Sequence, residues 1–311
     1  MKLVCMALVL ALGISDGHAR AATEWDLLNE EVESLYQQGE YDRATTVAKK
    51  ALQTAEQTQD SNHPDVATSL NSLALLYNIQ GQYTQAEPLL KRALAIFEKA
   101  VGAESSEVAA TLNNLAMLYR NQEQYARAEP LYERALAIDE KVLGPDHPHV
   151  AVSLNNLAQL YVAQERYAEA ESLLKRALTI IEKARGPFHR DVAMSLNNLA
   201  LLYSAQKQYA QAEPLYKRVL AISKKTLGPD HPNIALGLNN LAGLYREEGK
   251  YPHAEPLFRR ALAISEKSLG PDHPNVATVL ENLAQLYRDI GHANKAVPLE
   301  KRAATIRKKQ R

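Results

Sequence analysis

Histidine is the residue type in this sequence whose chemistry is most easily seen, because it recurs at a fixed spacing. His147, His189, His231 and His273 follow one another at intervals of 42 residues, in segments such as GPDHP. Imidazole is a common ligand of zinc, which binds its ligands at about 2 Å. If these segments start neighbouring helices, which pack about 8–10 Å apart, successive histidines lie too far apart to share one ion. We therefore expect turn or cap roles for them and for His63, and neither a bound metal nor another cofactor.

No other motif in the sequence is typical of catalysis. There is no glycine-rich phosphate loop, no serine in a nucleophile elbow and no His-Glu-x-x-His segment. Carboxylates recur with the same 42-residue spacing at Glu129, Glu171, Glu213 and Glu255, which suits solvated groups or groups that join one segment to the next. Lys plus Arg and Asp plus Glu each number 36, so no net field favours nucleic acid or an anionic membrane. The sequence therefore predicts a protein that is not an enzyme.

The recurring residues belong to copies of a 42-residue segment that follow one another without insertion or deletion. A strict period of this length indicates an array of stacked units. Residues 22–59 contain a degenerate copy without the Gly-Pro start, which is expected to cap the array. The six regular copies are residues 60–101, 102–143, 144–185, 186–227, 228–269 and 270–311.

Each copy is expected to form two amphipathic helices, because its apolar residues are spaced by three and four. Between copies, the glycine is expected to end one helix in a left-handed conformation, and the aspartate of GPDHP is expected to cap the next helix. In residues 144–185 the apolar positions are Val150, Leu154, Leu157, Ala158 and Tyr161 in the first half, and Ala170, Leu173, Leu174, Ala177 and Leu178 in the second.

The N-terminal residues differ from the repeats. An apolar run follows Lys2, and a short polar stretch then leads to Ala21. This order is typical of a secretory signal peptide over residues 1–21, cleaved after Ala21. The run has about a dozen residues, which is short for a membrane span, although an uncleaved anchor stays open as the alternative. We predict a secreted or periplasmic protein whose mature chain lacks Cys5, the only cysteine, and forms no disulfide.

The remaining informative residues lie on the first helix of each copy, opposite its apolar stripe. Counted from the glycine of each copy, positions 9, 12, 13, 16, 19 and 20 share this face at about 100° per residue. Position 9 is apolar in the middle copies, where an ordinary surface helix would carry charge. Asparagine occupies position 12 at Asn113, Asn155, Asn197 and Asn239, and position 13 at Asn114, Asn156, Asn198, Asn240 and Asn282.

This pattern resembles the tetratricopeptide repeat, and the 42-residue period with LNNLAxLY and AEPLYxRALAI resembles its kinesin light chain subtype. The resemblance covers residues 60–311, whereas residues 24–57 match weakly. It implies an all-α, right-handed superhelical α-solenoid of about seven antiparallel helix pairs. The microtubule-motor role is not implied, because the sequence has an export signal and no heptad-rich segment. The positions that carry the resemblance in residues 186–227 are Leu199, Ala200, Tyr203, Ala212, Tyr216 and, imperfectly, Val219.

The resemblance implies that the first helices line a concave groove that binds a peptide or partner protein. Position 13 corresponds to an asparagine that binds peptides in the family, and a carboxamide both donates and accepts hydrogen bonds. A bridge between neighbouring first helices is the alternative for both sets of asparagines. Beside the asparagines at positions 12 and 13, the predicted binding residues are Met117, Leu201, Gly243, Arg120 and Arg246.

Two other functions stay open on the sequence alone. A structural or self-associating spacer would stack end to end, and an exported enzyme would need a cluster of catalytic residues that breaks the repeat. The predicted partner is a protein or peptide, with no nucleic acid and no membrane insertion after signal cleavage.

Overall fold

The computed structural model describes residues 22–309, so the predicted signal peptide lies outside the described residues. Within this range the chain forms fourteen α-helices and no strand, which confirms an all-α repeat array. The helices are α1 (Glu24–Gln37), α2 (Tyr41–Thr58), α3 (Pro64–Ile79), α4 (Tyr83–Ala100), α5 (Ser106–Asn121), α6 (Tyr125–Leu143), α7 (Pro148–Ala163), α8 (Tyr167–Arg185), α9 (Arg190–Ala205), α10 (Tyr209–Leu227), α11 (Pro232–Glu247), α12 (Tyr251–Leu269), α13 (Pro274–Asp289) and α14 (Ala293–Lys308).

The described chain divides into two compact units, residues 22–173 and residues 174–309, with the division inside α8. In each unit the first helix of a copy packs against the second helix of the same copy, as α5 does with α6 and α11 with α12. First helices of successive copies also contact each other directly, α3 with α5 and α5 with α7 in one unit and α11 with α13 in the other. Second helices make no contact of comparable extent within either unit, so the first helices lie on the inner side of each unit.

The core is formed by apolar side chains that pass from one copy to the next. Phe258 of α12 is fully buried in a cluster with Leu283 and Tyr287 of α13. Burial of such a side chain contributes on the order of 2 kcal/mol. In four other copies the residue at the equivalent position is at most 2% exposed, and these residues are Leu90, Tyr132, Leu174 and Tyr216.

Glycine ends the second helices, as predicted, but in a different backbone conformation. Gly144 has φ 88° and ψ 152°, and Gly270 has φ 86° and ψ 156°. The positive φ was predicted, whereas ψ is extended and not left-handed helical. This combination is open essentially only to glycine, because a Cβ would collide with the backbone. The chain therefore leaves α6, α10 and α12 at an angle that requires glycine, whereas α2 and α4 end at Gln59 and Val101.

Histidine, and not aspartate, caps α3, α7, α9, α11 and α13, whereas α1 and α5 are capped by Thr23 and Ser105. The prediction of an aspartate cap is wrong because proline at the first helical position leaves histidine as the residue before it. Asp230 and Asp272 instead form ion pairs with Lys267 and Lys309 of the same copies. The predicted cap role of histidine is confirmed. Nδ1 accepts the backbone N–H two residues ahead, at 3.1–3.2 Å, in His63, His147, His189, His231 and His273.

A tyrosine–glutamate hydrogen bond joins a first helix to the second helix of the preceding copy. The recurrent glutamate therefore has the joining role, one of the two that the sequence left open. Hydrogen bonds from Lys91, Tyr119 and Arg127 lower the pKa of Glu87 to about 2. The hydroxyl donates to the carboxylate in the pairs Tyr119–Glu87 (2.9 Å), Tyr245–Glu213 (2.9 Å) and Tyr287–Glu255 (2.8 Å).

We expect the interactions of Glu87 to make the stability of the fold depend on pH in the acidic range. The pKa of Glu87 falls from 4.5 to about 2 on folding, so its contribution is complete above pH 4.5 and is lost as the pH falls towards 2. Glu87→Gln should lower the Tm at neutral pH and reduce the change in Tm across this window, as measured by thermal unfolding. Glu123→Gln, at an exposed residue without an ion pair, is the control. An unchanged pH profile in Glu87→Gln would contradict the assignment.

Candidate functional site

The candidate site is the inner face of the first helices, defined as positions 9, 12, 13, 16, 19 and 20 of each copy. Each compact unit has its own inner face, and the two differ in what they expose.

In residues 174–309 the inner face carries exposed apolar side chains. At position 9, Met194 of α9 is 39% exposed and Leu236 of α11 is 49% exposed. At position 16, Leu201 of α9 is nearly buried, and a Cβ on Gly243 of α11 would meet no atom within 4 Å. This inner face therefore combines two solvent-exposed apolar side chains with space beside Gly243, whose own backbone is buried.

In residues 22–173 the inner face is more closed. Ala110 at position 9 of α5 is buried, and Val152 at the same position of α7 is half-buried. Met117 at position 16 of α5 is also half-buried. None of the three reaches the exposure of Leu236, so the apolar surface is concentrated in the other unit.

The asparagines link neighbouring first helices. Nδ2 of the position-13 asparagine donates to Oδ1 of the position-12 asparagine in the preceding copy. The acceptors Asn113, Asn197 and Asn239 are buried, each with 7% of its surface exposed. The bridging role that the sequence left open is therefore present, and peptide binding by these groups stays a prediction. The bonds are Asn156 to Asn113 (3.4 Å), Asn240 to Asn197 (2.8 Å) and Asn282 to Asn239 (2.9 Å).

The other predicted asparagines do not repeat this bond in the same way. Asn114 makes no hydrogen bond within residues 22–309; Asn71 of the preceding copy donates to Thr111 at 2.7 Å, and Oδ1 of Asn71 is buried without a partner among these residues. Asn155 donates to the backbone oxygen of Ala151 in its own helix at 2.6 Å. Asn198 is buried, with 5% of its surface exposed.

Both predicted arginines are held by the following copy. Arg120 donates from Nη1 to Oε1 of Gln159 at 2.7 Å. Nε of Arg246 lies 3.6 Å from Oδ2 of Asp289, and the arginine side chain is 20% exposed. Asp289 compensates the charge of Arg246, whereas Gln159 is neutral and only positions Arg120.

A buried polar cluster between α6 and α7 was missed by sequence reasoning. Ser153 donates to Oδ2 of Asp139 at 2.5 Å and accepts from Nδ2 of Asn113 at 3.0 Å. Burial raises the pKa of Asp139. The adjoining cavity of about 10 Å³ has room for one water molecule, and no imidazole stands between serine and carboxylate, so the cluster is not arranged for nucleophilic catalysis. A signal was present, because Asp139 occupies a helix position where Phe97 stands in the preceding copy.

Metal and membrane sites were also sought in the part of the chain that the structure describes. No three His, Cys, Asp or Glu side chains of residues 22–309 are grouped closely enough to hold a metal ion. None of the described helices combines the length and the apolar character needed to cross a membrane.

Comparisons with known proteins agree with the fold. The family model described as "Tetratricopeptide repeat" matches five segments of the chain, of which the last four overlap. Together they cover residues 26–99 and 107–309. No curated protein matches the chain in sequence. The matched segments are residues 26–99, 107–183, 158–225, 191–267 and 234–309.

Solved structures with similar folds include proteins of the kinesin light chain type. One, from Podosopora anserina and with nearly identical TPR-like repeats, is 32% identical; the match covers 66% of this chain and 97% of that one, with a TM-score of 0.55. BtubC (BKLC) from P. vanneervenii is 24% identical over 74% of this chain and 91% of that one, with a TM-score of 0.58. A Rap protein complexed with Competence and Sporulation Factor is 18% identical over 92% of this chain and 75% of that one, with a TM-score of 0.68. At this level of identity the last two share the fold alone.

The two glycines inside α11 should respond differently to alanine. A Cβ on Gly237 would lie 2.9 Å from Cδ2 of Leu220, whereas one on Gly243 would meet nothing within 4 Å. Alanine is favoured over glycine inside a helix by about 1 kcal/mol. We therefore expect Gly243→Ala to raise the free energy of unfolding by about 0.5–1 kcal/mol. Gly237→Ala should give a smaller gain or a loss in the same urea titrations, and equal gains would contradict the packing argument.

The asparagine bond should contribute to stability. Asn240→Ala removes the donor to Oδ1 of buried Asn197, and an unsatisfied buried acceptor costs about 1 kcal/mol or more. Asn114→Ala is the matched control, because Asn114 occupies the same position without a hydrogen bond. We expect urea unfolding to show a loss for the first variant and little change for the second. Equal losses in the two variants would show that the bond is not the cause.

Proposed function

The chain belongs to the tetratricopeptide repeat family, and on that premise we propose that its inner face binds an extended peptide segment of a partner protein. Repeats of this family are a general scaffold for protein–protein interaction and typically act without catalysis. The Rap protein of the same fold was solved with Competence and Sporulation Factor, which supports a binding role without identifying the partner of this chain.

The observation that carries the proposal is the exposure of Met194 and Leu236 on neighbouring first helices. A helix face opposite the core ordinarily carries polar side chains, and adjacent exposed apolar groups mark interaction sites. Gly243 lies seven residues after Leu236, two turns further along the same face of α11. Its own backbone is buried, but its missing side chain leaves space that a group of a ligand could enter. The surface thus offers apolar contacts beside a space that part of an extended chain can enter.

The asparagine bridge defines how the carboxamides can contribute. Nδ2 of Asn240 and of Asn282 is used within the array. Oδ1 of each accepts no hydrogen bond within the described residues, and both side chains are half-buried at the inner face. These oxygens are therefore positioned to accept backbone N–H groups of a peptide, whereas the sequence suggested both donation and acceptance.

The spacer alternative has less support. Glu300 of α14 stands where the other copies bury Phe258 and its equivalents, and it pairs with Arg288 at 2.7 Å. Stacking a further copy on α14 would remove this exposed ion pair from water, which is unfavourable for charged groups. The enzyme alternative gains nothing from the Ser153–Asp139 cluster, whose cavity is too small for a substrate. Export stays part of the proposal because of the signal pattern in residues 1–21.

The proposal is tested with peptides selected from a random display library on the full chain. We expect Leu236→Glu to weaken the selected peptides by about tenfold or more, because a carboxylate would replace an apolar contact. Gly243→Leu should also weaken them by filling the space beside this glycine. Affinities are measured by fluorescence anisotropy, with circular dichroism to show that each variant folds.

Val142→Glu is the matched control, because Val142 is 46% exposed and lies on a second helix. It should leave the affinities unchanged. Peptides that bind wild type and Leu236→Glu equally well, or that lose as much affinity with Val142→Glu, would show that the inner face is not the binding site.

A further inference from the structure

The second helices carry a regular series of ion pairs on their outer surface. An arginine in each pair contacts a glutamate 36 residues earlier, in the second helix of the preceding copy. The pairs in which this occurs are Arg92–Glu56 (2.7 Å), Arg134–Glu98 (2.7 Å), Arg218–Glu182 (2.5 Å) and Arg302–Glu266.

Residues 186–227 interrupt this series. In this copy lysine occupies the position of the glutamate. Arg260 follows Lys224 by 36 residues, the same spacing that pairs Arg218 with Glu182. Both side chains are exposed, and neither forms an ion pair with a described residue. Two cations therefore occupy the register positions at which the other pairs combine an arginine with a glutamate.

A second series of ion pairs joins the end of α6, α12 or α14 to the loop that starts the same copy. It includes Lys141–Glu104, Lys267–Asp230 and Lys309–Asp272. In residues 186–227 the acidic position is Phe188, so Nζ of Lys225 lies over the Phe188 ring, 3.9 Å from its centroid. Phe188 is 53% exposed. This copy has thus lost its acidic partner in both series.

The two interruptions are linked through consecutive Lys224 and Lys225, and we call the residues concerned the outer patch: Phe188, Lys224, Lys225 and Arg260. Lys224 and Lys225 are consecutive in the last turn of α10. The negative end of a helix dipole favours cations there, but α2, α4, α6, α8 and α12 have the same dipole and carry glutamate at the position of Lys224. The nearby carboxylates are already paired, Glu182 with Arg218, Asp230 with Lys267 and Glu266 with Arg302.

We propose that the outer patch binds a short acidic segment of a partner protein, in which a few carboxylates stand beside an apolar side chain. The carboxylates would pair with the three cations, and the apolar side chain would pack on the exposed ring of Phe188. This site lies on second helices and a loop, so it is separate from the inner face and does not depend on peptide binding there.

A short peptide fits the surface better than a long polyanion. The net charge of the chain is zero, and the patch is bordered by Glu182, Asp230 and Glu266. A nucleic acid or an anionic membrane would extend over these carboxylates and be repelled, whereas a few acidic residues would contact the patch alone.

The probe is a fluorescein-labelled peptide, GDEEDLG, titrated with the full chain and followed by anisotropy. The neutral peptide GNQQNLG tests the need for charge. We expect the acidic peptide to bind and the neutral one not to, and we expect binding to weaken strongly between about 0.02 M and about 0.5 M salt, because exposed charges are screened.

Phe188→Asp combined with Lys224→Glu removes the patch and restores both ion-pair series, so the variant is expected to fold as stably as wild type. It should weaken the acidic peptide by about tenfold or more. Lys224→Glu alone is compared with Lys207→Glu, which changes net charge equally. Lys207 lies in the turn before α10, where other copies have Glu123 and Glu165 with the same positive φ, so the control substitution is tolerated.

A loss that is specific to the patch variants, with inner-face peptides still bound, supports the proposal. Equal binding of the acidic and neutral peptides would overturn it, as would an equal loss in Lys207→Glu. A single-stranded oligonucleotide or phosphatidylglycerol vesicles that displace the probe at lower concentration than unlabelled peptide would overturn the choice of partner.

Discussion

Stacking of one copy on the next is the constraint on which this structure depends. A single helix pair cannot bury its own apolar surface, and Phe258 becomes fully buried only with Leu283 and Tyr287 of the following copy. Every interface uses the same positions, so an insertion in one copy would misalign its contacts with both neighbours. The tyrosine–glutamate bonds and the asparagine bridges belong to the same interfaces. Residues that recur in every copy are therefore explained by stacking, and function is expected where copies differ.

Much of the fold could be predicted because helix periodicity and Gly-Pro boundaries are local signals. The helix cap could not, because aspartate and histidine in GPDHP can both accept a backbone N–H, and a shift of one residue decides between them. The role of Asn240 was open for a similar reason. A carboxamide can bridge helices or bind a ligand, and only the separation from Asn197 shows that its donor is already used.

Several differences between copies are explained by packing alone. Gly237 and Gly243 look alike in the sequence, yet Gly237 is matched to a packed Leu220 and Gly243 faces open space. Val219, which stands beside Gly237, replaces the alanine of the other copies, so that pair is an exchange of volume within the core. Asp139 is likewise satisfied inside the core by Ser153. Only departures that reach solvent without such compensation remain as candidates for binding.

The outer patch is such an uncompensated, solvent-exposed difference, and it involves more than the loss of one ion pair. An exposed pair contributes at most about 1 kcal/mol, so a neutral residue at position 224 would be a tolerated loss. Lysine instead gives this position the same charge as Arg260, which is unfavourable without a ligand. Phe188 removes a second carboxylate from the same copy and leaves a large apolar ring in water. Both changes shift the surface towards positive charge, and an acidic partner would relieve the repulsion and cover the ring together.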